Sequence, residues 1–230
     1  MNDFSLELTP DIRDANLKWS NKLQGIQENK SRERLAGDIT QSTLCDDFGK
    51  LYAQNYFSEQ DKENVKAIVE QVIATYRTKI RNLDWMGDAT KEAAVKKLDQ
   101  MTIKVGYPDK WPEYLDHAAI KGKAEGGSLV NNTISVQKAI QEHDLAQMAG
   151  AVDKTVWSMT PQTVNAYYNA TANEIVFPAA ILQAPFYDDK VSYESNLGGI
   201  GFIIAHEISH AFDDAGSKYD GKQTLNVCCS

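Results

Sequence analysis

Residues 200–212 read "IGFIIAHEISHAF", and their Ile, Ala and Phe side chains recur on every side of a helix. A helix that is hydrophobic all round has to be buried, so the rest of the chain must enclose this one. Three ionisable residues, His206, Glu207 and His210, are set into it. An unpaired charge there is costly, so the fold must compensate each of them. The periodicity predicts this helix over about residues 197–214, with Gly216 just past its C-terminus.

Positions four apart on a helix differ by about 40° of rotation and one turn of rise. His206 and His210 can therefore offer two imidazoles to one ion, while Glu207 flanks them without ligating. Such a pattern suits a zinc site in which the glutamate acts as general base. Asp213 and Asp214 fall close to the histidine face, where either can orient an imidazole. From the residues alone a second reading stays open, in which the histidines are structural and their nitrogens satisfied by other partners. A local third ligand is not evident. Asp213 and Gly216 stand where a metzincin pattern needs glycine and then histidine, and Asp220 lies ten residues beyond His210.

The surroundings are mostly helical. Ser58 is an N-cap, and Val65, Ile68, Val69, Val72, Ile73, Tyr76 and Ile80 give an amphipathic helix over about 59–83. A second helix follows, capped by Asp88 or Thr90, with Ala94, Val95, Leu98 and Met101 on one side and a polar outer surface. "VGYPDKWPEY" ends the helical run, and "KGKAEGG" is a loop. A helix over about 129–150 is expected to turn Ile134, Ile140, Leu145 and Met148 inward, and Leu44, Phe48, Leu51 and Tyr52 share one helical face further upstream. "VNAYYNATANEIVFPAAIL" predicts a β-hairpin around its polar centre, with Pro178 ending the second strand early or confining it to an edge.

A net charge of −8 without any basic run excludes a nucleic-acid or anionic-membrane footprint. "MNDFSLELTPDIRD" lacks the basic start and apolar core of a signal peptide, and no apolar run is long enough to span a bilayer, so the chain as written is expected to be cytoplasmic. Cys45, Cys228 and Cys229 form neither a disulfide framework nor a metal knuckle.

"VNAYY" at 164–168, "EIVFPAAILQAPF" at 174–186 and "GGIGFIIAHEISHAFDDAGSKYDG" at 198–221 resemble the neprilysin family of zinc endopeptidases, in that family's order and spacing. "LQGIQENKSRERL", "GKLYAQNYF", "LDWMGDATKEAAVKKL" and "VGYPDKW" extend the likeness upstream. The resemblance implies a mainly α fold with a small β-hairpin, an α+β arrangement combining a helical lobe with part of a zincin catalytic lobe. Residues 1–150 would be the helical region of a substrate-enclosing lobe, and 151–230 the first half of the catalytic domain. It implies Zn2+ on His206 and His210, Glu207 as catalytic base, and peptide substrates held by Asn165 and Ala166. Ile181, Phe186, Phe202 and Ile203 would line the pocket for the apolar residue after the cleaved bond. From the residues alone Asn165 is an ordinary hairpin residue and the four apolar positions are core.

The family's third zinc ligand is a glutamate in a Glu-Asn-x-x-Asp motif well downstream, whereas no glutamate follows Glu207 here. The chain is thus expected to be a middle segment, weakly active or inactive alone, with a complementary C-terminal segment as partner. The tail "TLNVCCS" departs from the family's continuation, as a change of reading frame near residue 227 would produce. The alternative is a non-catalytic helical fragment that binds peptides or a complementary chain.

Overall fold

The computed structural model describes residues 9–222, 224 and 225; the tail that carries Cys228 and Cys229 lies outside them. In chain order these residues form α1 (Pro10–Gln24), α2 (Arg32–Thr43), α3 (Cys45–Tyr56), α4 (Glu59–Arg81), α5 (Asp88–Asp99) and strand β1 (Thr102–Gly106). They continue with α6 (Leu129–Met148), strands β2 (Tyr167–Asn169) and β3 (Glu174–Pro178), α7 (Tyr193–Gly198) and α8 (Ile200–Ser209). The fold is mainly helical with one small sheet. Its two compact units are each built from two separated stretches, Met1–Asp47 with Trp111–Asp153, and Phe48–Lys110 with Lys154–Ser230. No helix among the described residues is long and apolar enough to cross a membrane.

In the first unit, α6 starts at Ser128, whose hydroxyl accepts from the Asn131 amide. It packs against α2 and the short turn Tyr114–His117. Its buried stripe is Thr133, Val136 and Ala139, not the larger residues expected from the sequence: Ile134, Leu145 and Met148 are exposed. Small side chains three apart let the helix come close to its neighbours, and the bulky ones are left on the other face.

The second unit is organised around α4, which Ser58 starts with a capping box. Its hydroxyl accepts from the Asp61 amide at 3.1 Å, and the Asp61 carboxylate accepts from the Ser58 amide at 3.3 Å. Val65, Ile68, Val69, Ile73 and Ile80 are buried along one face, as the periodicity predicts, and α5 packs against that helix. The N-cap of α5 is Gly87, one residue before the expected Asp88. On α3 the buried residues are Gly49 and Ala53; of the expected face Tyr52 packs half-buried against the core and Leu44 is half-buried, while Phe48 and Leu51 are exposed. A side chain at position 49 would come within 2.8 Å of Pro161, so the contact requires glycine.

The sheet runs in the order β1-β3-β2. β3 is the central strand and is buried throughout, with Ile175, Val176 and Phe177 wholly enclosed. It pairs antiparallel with β2, from Tyr167 opposite Val176 to Asn169 opposite Glu174, which is the predicted hairpin. It pairs parallel with β1, from Thr102 opposite Glu174 to Gly106 opposite Pro178. Pro178 does end its strand, but that strand is central rather than an edge, because proline at the last pair leaves the interior of the ladder intact. Asn173 turns the hairpin with φ of 47°, a left-handed conformation that asparagine tolerates.

Candidate metal centre

The helix that carries the histidines begins and ends more abruptly than its apolar pattern suggests. α7 and α8 are separated at Gly199, where a Cβ would lie 2.3 Å from the Phe186 carbonyl oxygen, and that carbonyl accepts from the Ile200 amide at 2.8 Å. The inserted carbonyl divides what the periodicity reads as one helix. At the other end the regular helix stops at Ser209, and residues 211 and 212 tighten onto carbonyls three residues back. Within α8, Ile200, Ile204 and Ile208 are fully buried, as is Ala211 just beyond it, but Phe202, His206 and Ser209 are exposed, so the helix is enclosed on one side and not all round as its composition predicts. The helix packs against α4, α7 and β2. Tyr76 on α4 donates to the Ala205 carbonyl at 2.9 Å, which fixes its height one residue before the first histidine.

His206 and His210 lie on one face with ring centroids 4.6 Å apart and ring planes at 82°. Their Nε2 atoms are 3.1 Å apart. Two nitrogens on one tetrahedral zinc, at bond lengths of about 2.0–2.1 Å, stand roughly 3.3 Å apart, so the pair fits a shared ion with little adjustment. The Nδ1 of His210 meets Asp213 Oδ2 at 2.7 Å. A carboxylate only accepts, so Nδ1 carries the proton and the lone pair of His210 is left on Nε2, facing His206.

Asp213 is held from both sides. Its other oxygen, Oδ1, accepts the Ala215 amide at 3.0 Å and the Gly216 amide at 2.7 Å. These amide bonds, with the one from His210, keep its carboxyl below the ordinary aspartate range. A Cβ on Gly216 would lie 1.9 Å from the His210 carbonyl oxygen, so the turn closes over the histidine only with glycine there. Asp214 is exposed and outside this bonding pattern, and Asp220 accepts from the Lys222 and Thr224 amides instead.

Glu207 is buried at 7% exposure. Burial raises its pKa above the ordinary value, and the two histidines and a backbone hydrogen bond from Tyr168 on β2 pull the other way. It is thus the carboxyl inside the fold, whereas His206 is exposed and His210 half-buried.

The remaining predicted positions are dispersed. Asn165 is exposed and Ala166 buried, both immediately before β2, the outer strand of the hairpin. Ile181 belongs to the core at 5% exposure, Phe186 and Ile203 pack half-buried against it, and Phe202 is 74% exposed. Among the described residues, no group of three His, Cys, Asp or Glu side chains is arranged to hold a metal. The two imidazoles are therefore a partial donor set.

Residues 1–108 and 165–230 match two sequence profiles, both described as peptidase family M13. The chain belongs to peptidase family M13. The neutral endopeptidase of Lactococcus lactis subsp. cremoris is 39% identical over 216 residues, 94% of this chain and 34% of that protein. Neprilysin-3 of Drosophila melanogaster is 32% identical over 221 residues, covering 95% of this chain and 28% of the relative. Among solved structures, the zinc metalloprotease Zmp1 of Mycobacterium tuberculosis in complex with an inhibitor superposes with a TM-score of 0.87 at 38% identity, over 99% of this chain and 34% of Zmp1. PepO of Lactobacillus rhamnosis gives 0.89 at 34% identity, over 98% and 35% of the respective chains. This M13 chain thus spans about a third of the length of the curated relatives it matches.

Proposed function

We propose that this M13 segment carries the two-histidine half of a zinc peptidase site, with His206 and His210 as ligands, Glu207 as general base and Asp213 as the carboxylate that orients His210. The carrying observation is the 3.1 Å separation of the two Nε2 atoms, with His210 already fixed by Asp213 on its far side. When bound, zinc supplies Lewis acidity for peptide hydrolysis. Glu207 takes a proton from the attacking water and passes it to the leaving amine, a task that suits a carboxyl whose pKa is raised by burial. Asn165 and Ala166 hold the main chain of an extended peptide beside β2 by strand addition. Phe186, Phe202 and Ile203 offer apolar contact to the residue after the cleaved bond, and Ile181 supports them from the core.

In the whole protein the reaction would be cleavage on the amino side of apolar residues. Residues 1–150 would belong to a substrate-enclosing lobe, and residues 151–230 would be the first half of the catalytic domain. The partial donor set favours a second element of the same reading, a complementary segment that supplies the third ligand.

Titration of the metal-free chain with Zn2+ tests the ligand assignment. The expected result is saturable uptake by the wild type that His206→Ala and His210→Ala each remove, while Glu207→Gln retains it. Equal uptake by all four proteins would refute it.

A further inference from the structure

Lys97 on α5 is wholly buried. An ammonium in such a place is costly unless its protons are taken up, and lysine has three donors and no acceptor. Three carbonyls meet it: Ala211 at 2.8 Å, Gly216 at 2.7 Å and Tyr219 at 2.7 Å. All three lie in the turn that follows α8, and together they bracket Asp213. The same turn closes against α5 further along, where a Cβ on Gly221 would lie 3.2 Å from the Lys97 Cα. The lysine is itself tied to the sheet. Asn173 donates to the Lys97 carbonyl at 3.1 Å, and Tyr168 on β2 donates to Asn173 at 3.1 Å.

The structure assigns Lys97 the role of positioning residue: its ammonium fixes the turn from 211 to 219, so that Asp213 holds the His210 imidazole in one tautomer and one orientation. The chain of contacts is continuous. Lys97 holds the Gly216 carbonyl, the Gly216 amide donates to Asp213 Oδ1, and Asp213 Oδ2 accepts from His210 Nδ1. A cation serves here better than an apolar side chain of the same length. Three carbonyl oxygens converging on one point repel one another, and an ammonium turns that repulsion into three charge-assisted hydrogen bonds. The role of Lys97 at His210 stands without metal; its consequence for zinc rests on the proposed ligand assignment.

The test is nuclear magnetic resonance of the full 230-residue chain, nitrogen-15 labelled and metal-free, at a pH where the imidazoles are neutral. In the wild type the Lys97 ammonium should give a slowly exchanging signal with cross-relaxation to the amides of the 211–219 turn, and His210 should carry its proton on Nδ1. In Lys97→Met, with the amide signals of β3 unchanged, exchange of the His210 Nδ1 proton should quicken on the order of tenfold or more, and the two tautomers should mix. Asp213→Asn should change His210 in the same way, and adding Lys97→Met to it should change His210 no further, because both act through one path. A folded Lys97→Met chain with an unchanged His210, or effects that add in the double variant, would overturn the role. If Lys97→Met does not fold, the wild type decides, and a rapidly exchanging Lys97 ammonium overturns it. Zinc titration separates this role from the ligand reading. Where the wild type binds Zn2+, Lys97→Met should weaken binding by about 10–100-fold, and unchanged affinity counts against Lys97. A wild type that takes up no Zn2+ refutes the ligand reading and leaves the His210 measurement to judge Lys97.

Discussion

Among the side chains whose pKa is raised, Glu207 and Tyr107 are raised for different reasons. Burial is the main cause at Glu207, against the pull of two neighbouring histidines. At Tyr107 the leading cause is its hydrogen bond to Glu59, which the phenol donates at 2.6 Å and which pushes its pKa up to about 12. The carboxylate accepts only while the phenol keeps its proton, so the neutral form is the one favoured by folding. That contribution should be complete below the ordinary phenol value of about 10, and lost as pH rises through about 12. Phenolate absorbance should therefore show, among several tyrosines raised above the ordinary range, a component at about 12 that Tyr107→Phe removes and Glu59→Gln returns towards about 10. A Tyr107 midpoint that Glu59→Gln leaves in place would discard the hydrogen bond as cause. At this scale the ionisable residues of α8 were legible because they interrupt an apolar run with a known metal-ligand spacing. Lys97 was not, although a helical wheel sets it only about 40° from Met101 at the margin of the apolar arc of α5. Three-donor capping by a lysine needs carbonyls from a turn more than a hundred residues away, and no local pattern announces them.

Between elements, β1 and β3 are joined by more than their ladder. Lys104 stands opposite Val176 and Glu174 opposite Thr102, so the two side chains share a face two positions apart. They meet at 2.7 Å with side-chain exposures of 9% and 5%, and Lys104 also donates to the Val156 carbonyl at 2.8 Å. Removing one partner of such a pair leaves the other charge buried and uncompensated, at a cost of about 3–5 kcal/mol, whereas replacing both by apolar groups is often neutral. Chemical denaturation should accordingly find Lys104→Met and Glu174→Leu each strongly destabilising and the double variant milder than either. A double variant as unstable as the two losses combined would show that the groups do not act as a pair. Element type was readable where a pattern ran long, as in α4, where Ser58 and seven spaced apolar residues predict both the start and the buried face. The buried face was not readable where packing is made by small residues, although the helices themselves were. The inward stripes of α3 and α6 are Gly49 with Ala53 and Thr133 with Val136 and Ala139, most of them residues that hydrophobicity ranks below the exposed Phe48, Leu51, Ile134 and Leu145. β1 escaped notice because its five residues alternate too briefly to stand out and its partner lies some seventy positions on.

For the whole molecule, the two imidazoles have a spacing that suits zinc, yet the described residues bring no third donor to them. This M13 chain spans 34% of the Lactococcus neutral endopeptidase, and on the reading proposed above a complementary segment completes the site. The third ligand is expected in a Glu-Asn-x-x-Asp motif, and the face that would receive it should be the one on which His206 and Phe202 are exposed. The isolated chain should cleave a peptide with an apolar residue after the scissile bond no faster than its His206→Ala variant. Mixing it with a separately produced chain from an M13 relative, covering the remainder of the catalytic lobe and that motif, should give zinc-dependent cleavage. In the mixture Glu207→Gln should lower the rate by about 10²–10⁴-fold, the usual contribution of a positioned general base, while leaving association of the two chains unchanged. Cleavage by the isolated wild type that Glu207→Gln removes would mean that two histidines suffice, and the need for a second segment would fall. Association without cleavage would leave the chain as a docking fragment, its histidines aligned by Asp213 and Lys97 without producing turnover.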